Sequence, residues 1–172
     1  MIGGAVRIEK LSAIAELVSA VAIVLTLGYL AVETQQNTAA IQATVRQSML
    51  SDDVAILLKQ MDYPHVMPGA YGGRDLTADE EVQLMSWLIA FIRTRENHWL
   101  QYQYGVIDEA TWASYRAPLG SVLSQRFSRS FWEARIATGA YDPGFVGDVN
   151  GLLADIPIQT ATTAREAMGL DP

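Results

Sequence analysis

Residues Leu11 to Val32 form a run of twenty-two positions that carries a single charge, Glu16. A helix crossing a bilayer needs about 20 predominantly apolar residues, because the hydrocarbon core is roughly 30 Å thick and each residue rises about 1.5 Å. The run is therefore long enough to span. A cleavable signal has a shorter apolar core followed by small residues at a cleavage site. Here the apolar stretch passes directly into Glu33-Thr34-Gln35-Gln36-Asn37-Thr38 with no A-x-A site immediately before that polar stretch. A buried helix of a soluble bundle rarely stays apolar around its whole circumference for six turns. The segment reads as an uncleaved anchor.

Arg7 and Lys10 precede the run, and the first basic residue after it is Arg46. Counting Lys and Arg at the two ends places the N-terminus in the cytoplasm and the remainder of the chain outside. One side of the anchor carries Ser12, Ala15, Ser19, Ala22 and Thr26 at three- and four-residue spacing, with Glu16 at its border. Small residues let a second helix approach closely, and hydroxyls can hydrogen-bond across the contact. Glu16 has two readings: an interfacial carboxylate reaching toward headgroups, or a polar contact with a partner helix.

Of the 172 residues, those beyond the anchor suffice for one domain with its own core. The formal charge is −7, and beyond Glu33 there are 16 acidic and 10 scattered basic residues. Nucleic-acid binding needs a concentrated basic surface, so that class is set aside. Cysteine is absent, which excludes disulfides, thiolate catalysis and cysteine-ligated metal sites.

The periodicity predicts an all-α chain. No Pro or Gly interrupts Gln35 to Gln60, and Ile41, Val45 and Met49 are followed by Val54, Leu57, Leu58 and Met61. One helix from about Lys10 to Gln60, roughly 75 Å long, is expected to carry an apolar stripe from the bilayer into a small helical bundle. Tyr29 then lies at the interface, with Gln35, Gln36 and Asn37 at headgroup depth. Asp62-Tyr63-Pro64 ends that helix, and Pro64, Pro68, Gly69, Gly72 and Gly73 mark an irregular connection.

Thr77-Ala78-Asp79-Glu80 is a capping box, opening a second helix to about Tyr104 whose Met85, Leu88, Ile89, Ile92 and Trp99 face a core. Asp108 caps a third helix, which Pro118 should kink or split. Ser130 to Glu133 reads as a further capping box for a short helix ending at Gly139, and Asp142-Pro143 opens a last helix ending at Pro157. The expected organisation is an N-terminal flank over 1–10, an anchor over 11–33, a helical domain over 34–157 and a tail over 158–172.

Two patterns carry a resemblance. Tyr29-Leu30-Ala31-Val32-Glu33-Thr34-Gln35-Gln36-Asn37-Thr38 is similar to a YLAxQxxQNT signature, and Gly105 to Trp112 is similar to GxIDExxW. With Phe131-Trp132-Glu133 and Asp142-Pro143-Gly144-Phe145, the chain resembles a widespread family of uncharacterised bacterial single-pass membrane proteins. The resemblance implies an anchored helical protein of the bacterial inner membrane and supplies no activity or cofactor. Members commonly carry arginines just after the signature, implying a cytoplasmic domain. This chain has Glu33 and Thr34 in that region, and its own flanking charges point the other way.

No motif supports catalysis. Arg93, Arg95, Glu96, Asn97 and His98 form the densest polar cluster, but Glu96 and His98 are two apart, against the Glu-x-x-His spacing of a di-iron bundle. The cluster reads as a solvated face beside core aromatics. His65 is a loop histidine, no serine lies in a G-x-S-x-G setting, and Gly72-Gly73 lacks the lysine of a phosphate loop. Trp87, Trp99, Trp112 and Trp132 are expected to pack a core, or alternatively to line an apolar pocket. The expected function is a non-catalytic accessory or scaffolding subunit, with no cofactor. Its partners are the lipid bilayer and either another membrane protein or a second copy, met through the anchor. The alternative is a membrane-anchored sensor or binding domain for a small apolar ligand.

Overall fold

The computed structural model describes residues 3–70 and 75–159, with side chains placed for 11–67, 70 and 75–159. Gly72-Gly73, most of the expected tail, and the Arg7 and Lys10 side chains lie outside the described residues. The described chain is all-α: α1 (Gly3–Asp62), α2 (Met67–Ala70), α3 (Ala78–Gln103), α4 (Glu109–Leu123), α5 (Arg126–Ala137) and α6 (Pro143–Leu153). It contains no strand, only an isolated bridge between Gln125 and Gln159. The chain divides into two compact units, Met1–Thr44 and Val45–Pro172.

In the first unit α1 is exposed over 11–32, and its most apolar window has mean hydropathy 2.1 with none of it buried. By length and composition α1 contains one helix able to cross a membrane.

The second unit is a helical bundle. Its main core joins Met49 from α1, Phe91, Ile92 and Trp99 from α3, and Trp112, Leu119 and Leu123 from α4. Trp132 from α5, Phe145, Val149 and Leu153 from α6, and Ile107 and Tyr141 from the connections complete it. A smaller cluster of Val66, Ala70, Leu84 and Leu88 fills the space beside α2.

Local chemistry sets most boundaries. Thr77 accepts from Glu80 N while the Glu80 carboxylate accepts from Thr77 N at 2.9 Å, completing the capping box. Asp108 accepts from Thr111 N at 2.8 Å, and Asp142 accepts from Gly144 N at 2.7 Å. Gly105, at φ +69°, ends α3: its N–H bonds Tyr102 O and Val106 N–H bonds Gln101 O, a Schellman pattern that requires the left-handed glycine.

Five expectations change. The stripe of Val54, Leu57, Leu58 and Met61 does not enter the core; these residues are 46–73% exposed. The inward side of α1 runs instead through Val45, Met49, Asp53, Ile56 and Gln60, because Val54 lies one position off the four-residue repeat from Met49. Ile89 is exposed on α3, whose buried line is Leu84, Leu88, Phe91, Arg95 and His98. Pro118 does not split α4, which runs unbroken. α5 begins at Arg126, so Ser130 is an interior helical residue and not a cap, and α6 ends at Leu153, ahead of Pro157.

Candidate functional site

The inward line of α3 is apolar for about two turns, from Leu84 to Phe91, and then turns polar. At the same level α1 presents Asp53, one turn beyond Met49. Arg95 Nη1 donates to Asp53 Oδ1 and approaches His98 Nδ1 at 3.3 Å. The guanidinium also lies over the Phe91 ring at 4.9 Å and the Tyr115 ring at 5.5 Å. His98 is fully buried with its ring edge-on to Tyr115 at 4.6 Å between centroids. Burial, reinforced by the Arg95 charge, lowers the His98 pKa to about 4, so the imidazole is neutral at pH 7.

Glu96, on the adjoining side of α3, is buried as well. It pairs with Arg93 at 2.6 Å and accepts from Asp142 N at 2.6 Å, tying α3 to the start of α6. The polar cluster is therefore not the solvated face that its composition suggests. Arg95, Glu96 and His98 are core residues, and each meets a partner from another helix or from a neighbouring turn.

Beside Arg95 lies a cavity of about 310 Å³. α1 contributes Asp53, Ile56, Leu57 and Gln60, and α2 contributes Met67 and Ala70. Leu84, Trp87, Phe91 and Arg95 of α3 form a second wall, with Pro118 and Val122 of α4 and then Gln125 and Ser128 closing the third. Trp87 and Phe91 stack at 5.2 Å with their planes 9° apart. Ile56 and Trp87 also border a wider groove of about 500 Å³ between α1 and α3, lined by Lys59, Tyr63, Val82 and Ser86 among others.

The four tryptophans do not form one pocket. Trp99 packs on Phe145 at 6.1 Å, Trp112 stacks with Tyr102, and Trp132 stacks with Tyr141 while its Nε1–H donates to Asn150 Oδ1 at 3.0 Å. These three belong to the main core. Trp87 is set apart, on the cavity wall.

In the first unit, Ser12, Ala15, Glu16, Ser19, Ala22 and Thr26 are all exposed on α1. Thr26 Oγ1 donates to Ala22 O at 2.8 Å and Ser12 Oγ to Glu16 Oε1 at 3.5 Å, so both hydroxyls are used within the helix. Tyr29, Gln35, Gln36 and Asn37 are exposed on the same helix. His65 is exposed in the connection after α1, with its ring 6.4 Å from Tyr63. Among the described residues no three His, Asp or Glu side chains gather into a metal-binding group.

Arg95 and His98 are visible in the sequence as part of a polar cluster, but their burial, their partner Asp53 and the cavity beside them are not announced by any motif. Their signal is present nonetheless: Asp53 continues the Val45–Met49 spacing, and Arg95 and His98 continue the Leu84–Leu88–Phe91 spacing. The chain matches no family model, no curated protein and no solved structure.

Proposed function

We propose that this chain is a non-catalytic, single-pass accessory subunit that docks onto a larger protein of the bacterial inner membrane. The observation that carries this reading is uncovered apolar surface in both units. In the first, Leu11, Leu17, Val24 and Leu25 are each more than 60% exposed on a helix of spanning composition. In the second, Leu50, Val54, Leu57, Leu58 and Met61 line the outer side of α1 at helical spacing. Contiguous apolar surface of this kind marks contact with protein or lipid. The buried ion pairs of the domain serve packing.

The anchor meets its partner through Ser12, Ala15, Ser19, Ala22 and Thr26, where side chains are short enough for close approach. Arg7 and Lys10 set the N-terminus in the cytoplasm and the helical domain outside. The resemblance to uncharacterised single-pass bacterial proteins supports anchoring and argues for the opposite side.

Purification from native membranes in mild detergent tests the proposal. A stoichiometric membrane protein is expected to co-purify and to crosslink through position 19. Ser19→Leu or Met61→Gln should weaken its recovery while the domain stays folded. Recovery of free monomer alone, or of a homo-oligomer alone, refutes the reading. Protease added to intact spheroplasts should cleave the domain; protection reverses the orientation.

A further inference from the structure

We propose that one side of α1 is a continuous heptad seam, and that its occupant is a single unbroken helix of the docked membrane protein, with a lysine or arginine opposite Glu33. The inference rests on the docking reading and adds the partner's architecture and charge to it.

The register comes from the sequence. Ser12, Ala15, Ser19, Ala22 and Thr26 advance in alternating steps of three and four residues, and Leu50, Val54, Leu57 and Met61 keep the same alternation. Continuing the steps from Thr26 through Tyr29, Glu33, Gln36, Ala40, Ala43 and Gln47 arrives at Leu50 with no residue gained or lost. Two unrelated stripes would share a register about one time in seven. Every one of these positions is helical and exposed. In the second unit α1 packs inward through Val45, Met49 and Ile56, which are other heptad positions, so its own bundle leaves the seam uncovered.

Spacing selects the occupant. A repeat of 3.5 residues is the signature of one helix packed against another, knobs into holes. On a straight helix such a seam drifts by about 20° per heptad, so the partner follows it by a left-handed wrap. The positions from Ser12 to Met61, at about 1.5 Å each, call for a partner helix of roughly 75 Å, against roughly 30 Å for a membrane span alone. The partner helix therefore extends well past its own membrane span.

Charge argues against a second copy. Two copies inserted in the same direction meet each residue with its own equivalent, which sets the two Glu33 carboxylates against each other in the seam. The neighbouring layers, Tyr29 and Gln36, supply no cation, and Arg46, the first basic residue beyond, pairs with Asp108 at 3.4 Å. A like-charged layer is costly, whereas a partner's ammonium or guanidinium answers the carboxylate.

A photoreactive phenylalanine analogue, placed singly along α1 of the full chain in native membranes, tests the seam. Gln36, Ala40, Ala43 and Gln47 lie outside the residues assigned to docking. Each should crosslink to the same polypeptide as position 19, at least about fivefold above Thr38, Ile41 and Ser48, which lie off the seam. Glu33→Gln removes the charge at nearly constant size and should lower the yield at positions 36 and 40 at least about threefold. Circular dichroism reports whether each variant is folded. Crosslinks at positions 19 and 61 with none over 36–47 overturn the seam and leave docking standing. So do different polypeptides at those two positions, equal yields on and off the seam, or yields unchanged by Glu33→Gln. An adduct between two copies of this chain overturns the proposal as well. Absence of any membrane-protein adduct overturns it together with the docking reading.

Discussion

Replacing Asp53 by Asn leaves the Arg95 guanidinium in the core without its counter-charge. The Arg95 side chain is 6% exposed and that of Asp53 is 23% exposed. Breaking a buried ion pair from one side costs about 3–5 kcal/mol, because the remaining charge stays desolvated. Asn keeps one acceptor oxygen in place, so the lower end applies, about 3 kcal/mol. Arg95→Met leaves the partly hydrated carboxylate behind and should cost less, about 2 kcal/mol. Removing both charges together should return stability to within about 1 kcal/mol of the original, since neither ion then remains uncompensated. The expected coupling energy is therefore about 4–5 kcal/mol, the two single costs less the small cost of the double variant.

Urea unfolding of the detergent-solubilised chain, followed by the fluorescence of Trp99, Trp112 and Trp132, measures all four corners of this cycle. Titration of His98 by NMR adds a signed readout. Arg95 lowers the His98 pKa and Asp53 raises it, both acting through charge. Arg95→Met should lift the midpoint above its value of about 4, and Asp53→Asn should lower it further. Single-variant costs below about 0.5 kcal/mol would mean that water already screens the pair, as it does for surface bridges. That result, or a His98 midpoint moving in the opposite directions, refutes the buried-cluster reading.

Acid should destabilise the domain through His98. Its folded pKa lies below the unfolded value, so the unfolded state binds the proton first. This contribution is complete above pH 6.5 and is lost as pH falls toward about 4. The loss is about 3 kcal/mol, and urea midpoints at pH 7 and pH 4.5 should differ less in His98→Leu than in the original chain. Gly144→Ala places a Cβ 2.8 Å from Trp99 Cη2, so the indole must shift; a cost of about 1–3 kcal/mol with a changed near-ultraviolet dichroism band is expected. Asp108→Ala removes the acceptor for Thr111 N and should cost about 1 kcal/mol in the same urea assay. Met61→Gln, on the exposed side of α1, should change stability by less than about 0.5 kcal/mol.

The helices themselves were legible because their ends are written in local chemistry. Thr77, Asp108 and Asp142 satisfy N-terminal donors within three residues, and Gly105 terminates α3 by a backbone conformation that other residues resist. Leu88, Ile92 and Trp99 reached the core as their spacing indicated. What misled was chemistry that depends on a distant partner. Val54, Leu57, Leu58 and Met61 are apolar enough to be buried, yet among the described residues no helix covers them, while Asp53 is drawn inward because Arg95 arrives from 42 residues away. Gln125 caps α5 without a side-chain bond, so no motif announced that start, and the more familiar Ser130–Glu133 pattern drew it downstream.

The polar turn at Asp53 and Arg95 also bears on why the domain adopts a single arrangement. Leu84, Leu88, Phe91 and Ile92 would accept an aliphatic helix in several axial positions, because apolar packing is not directional. A buried carboxylate and guanidinium accept only the position in which they meet, since a slip of one helical turn, about 5.4 Å, strands both charges. Asp53 can thus hold α1 in register with α3 while contributing little net stability. The same register brings Ile56, Leu57 and Gln60 opposite Trp87 and Phe91, where they bound the cavity. A combined Asp53→Leu/Arg95→Met variant separates the two roles. It should unfold at a urea concentration at least as high as the original chain, while amide hydrogen exchange in the paired stretches of α1 and α3 quickens because the helices then sample more than one register. Unchanged exchange in that stable variant would show that apolar packing alone sets the register.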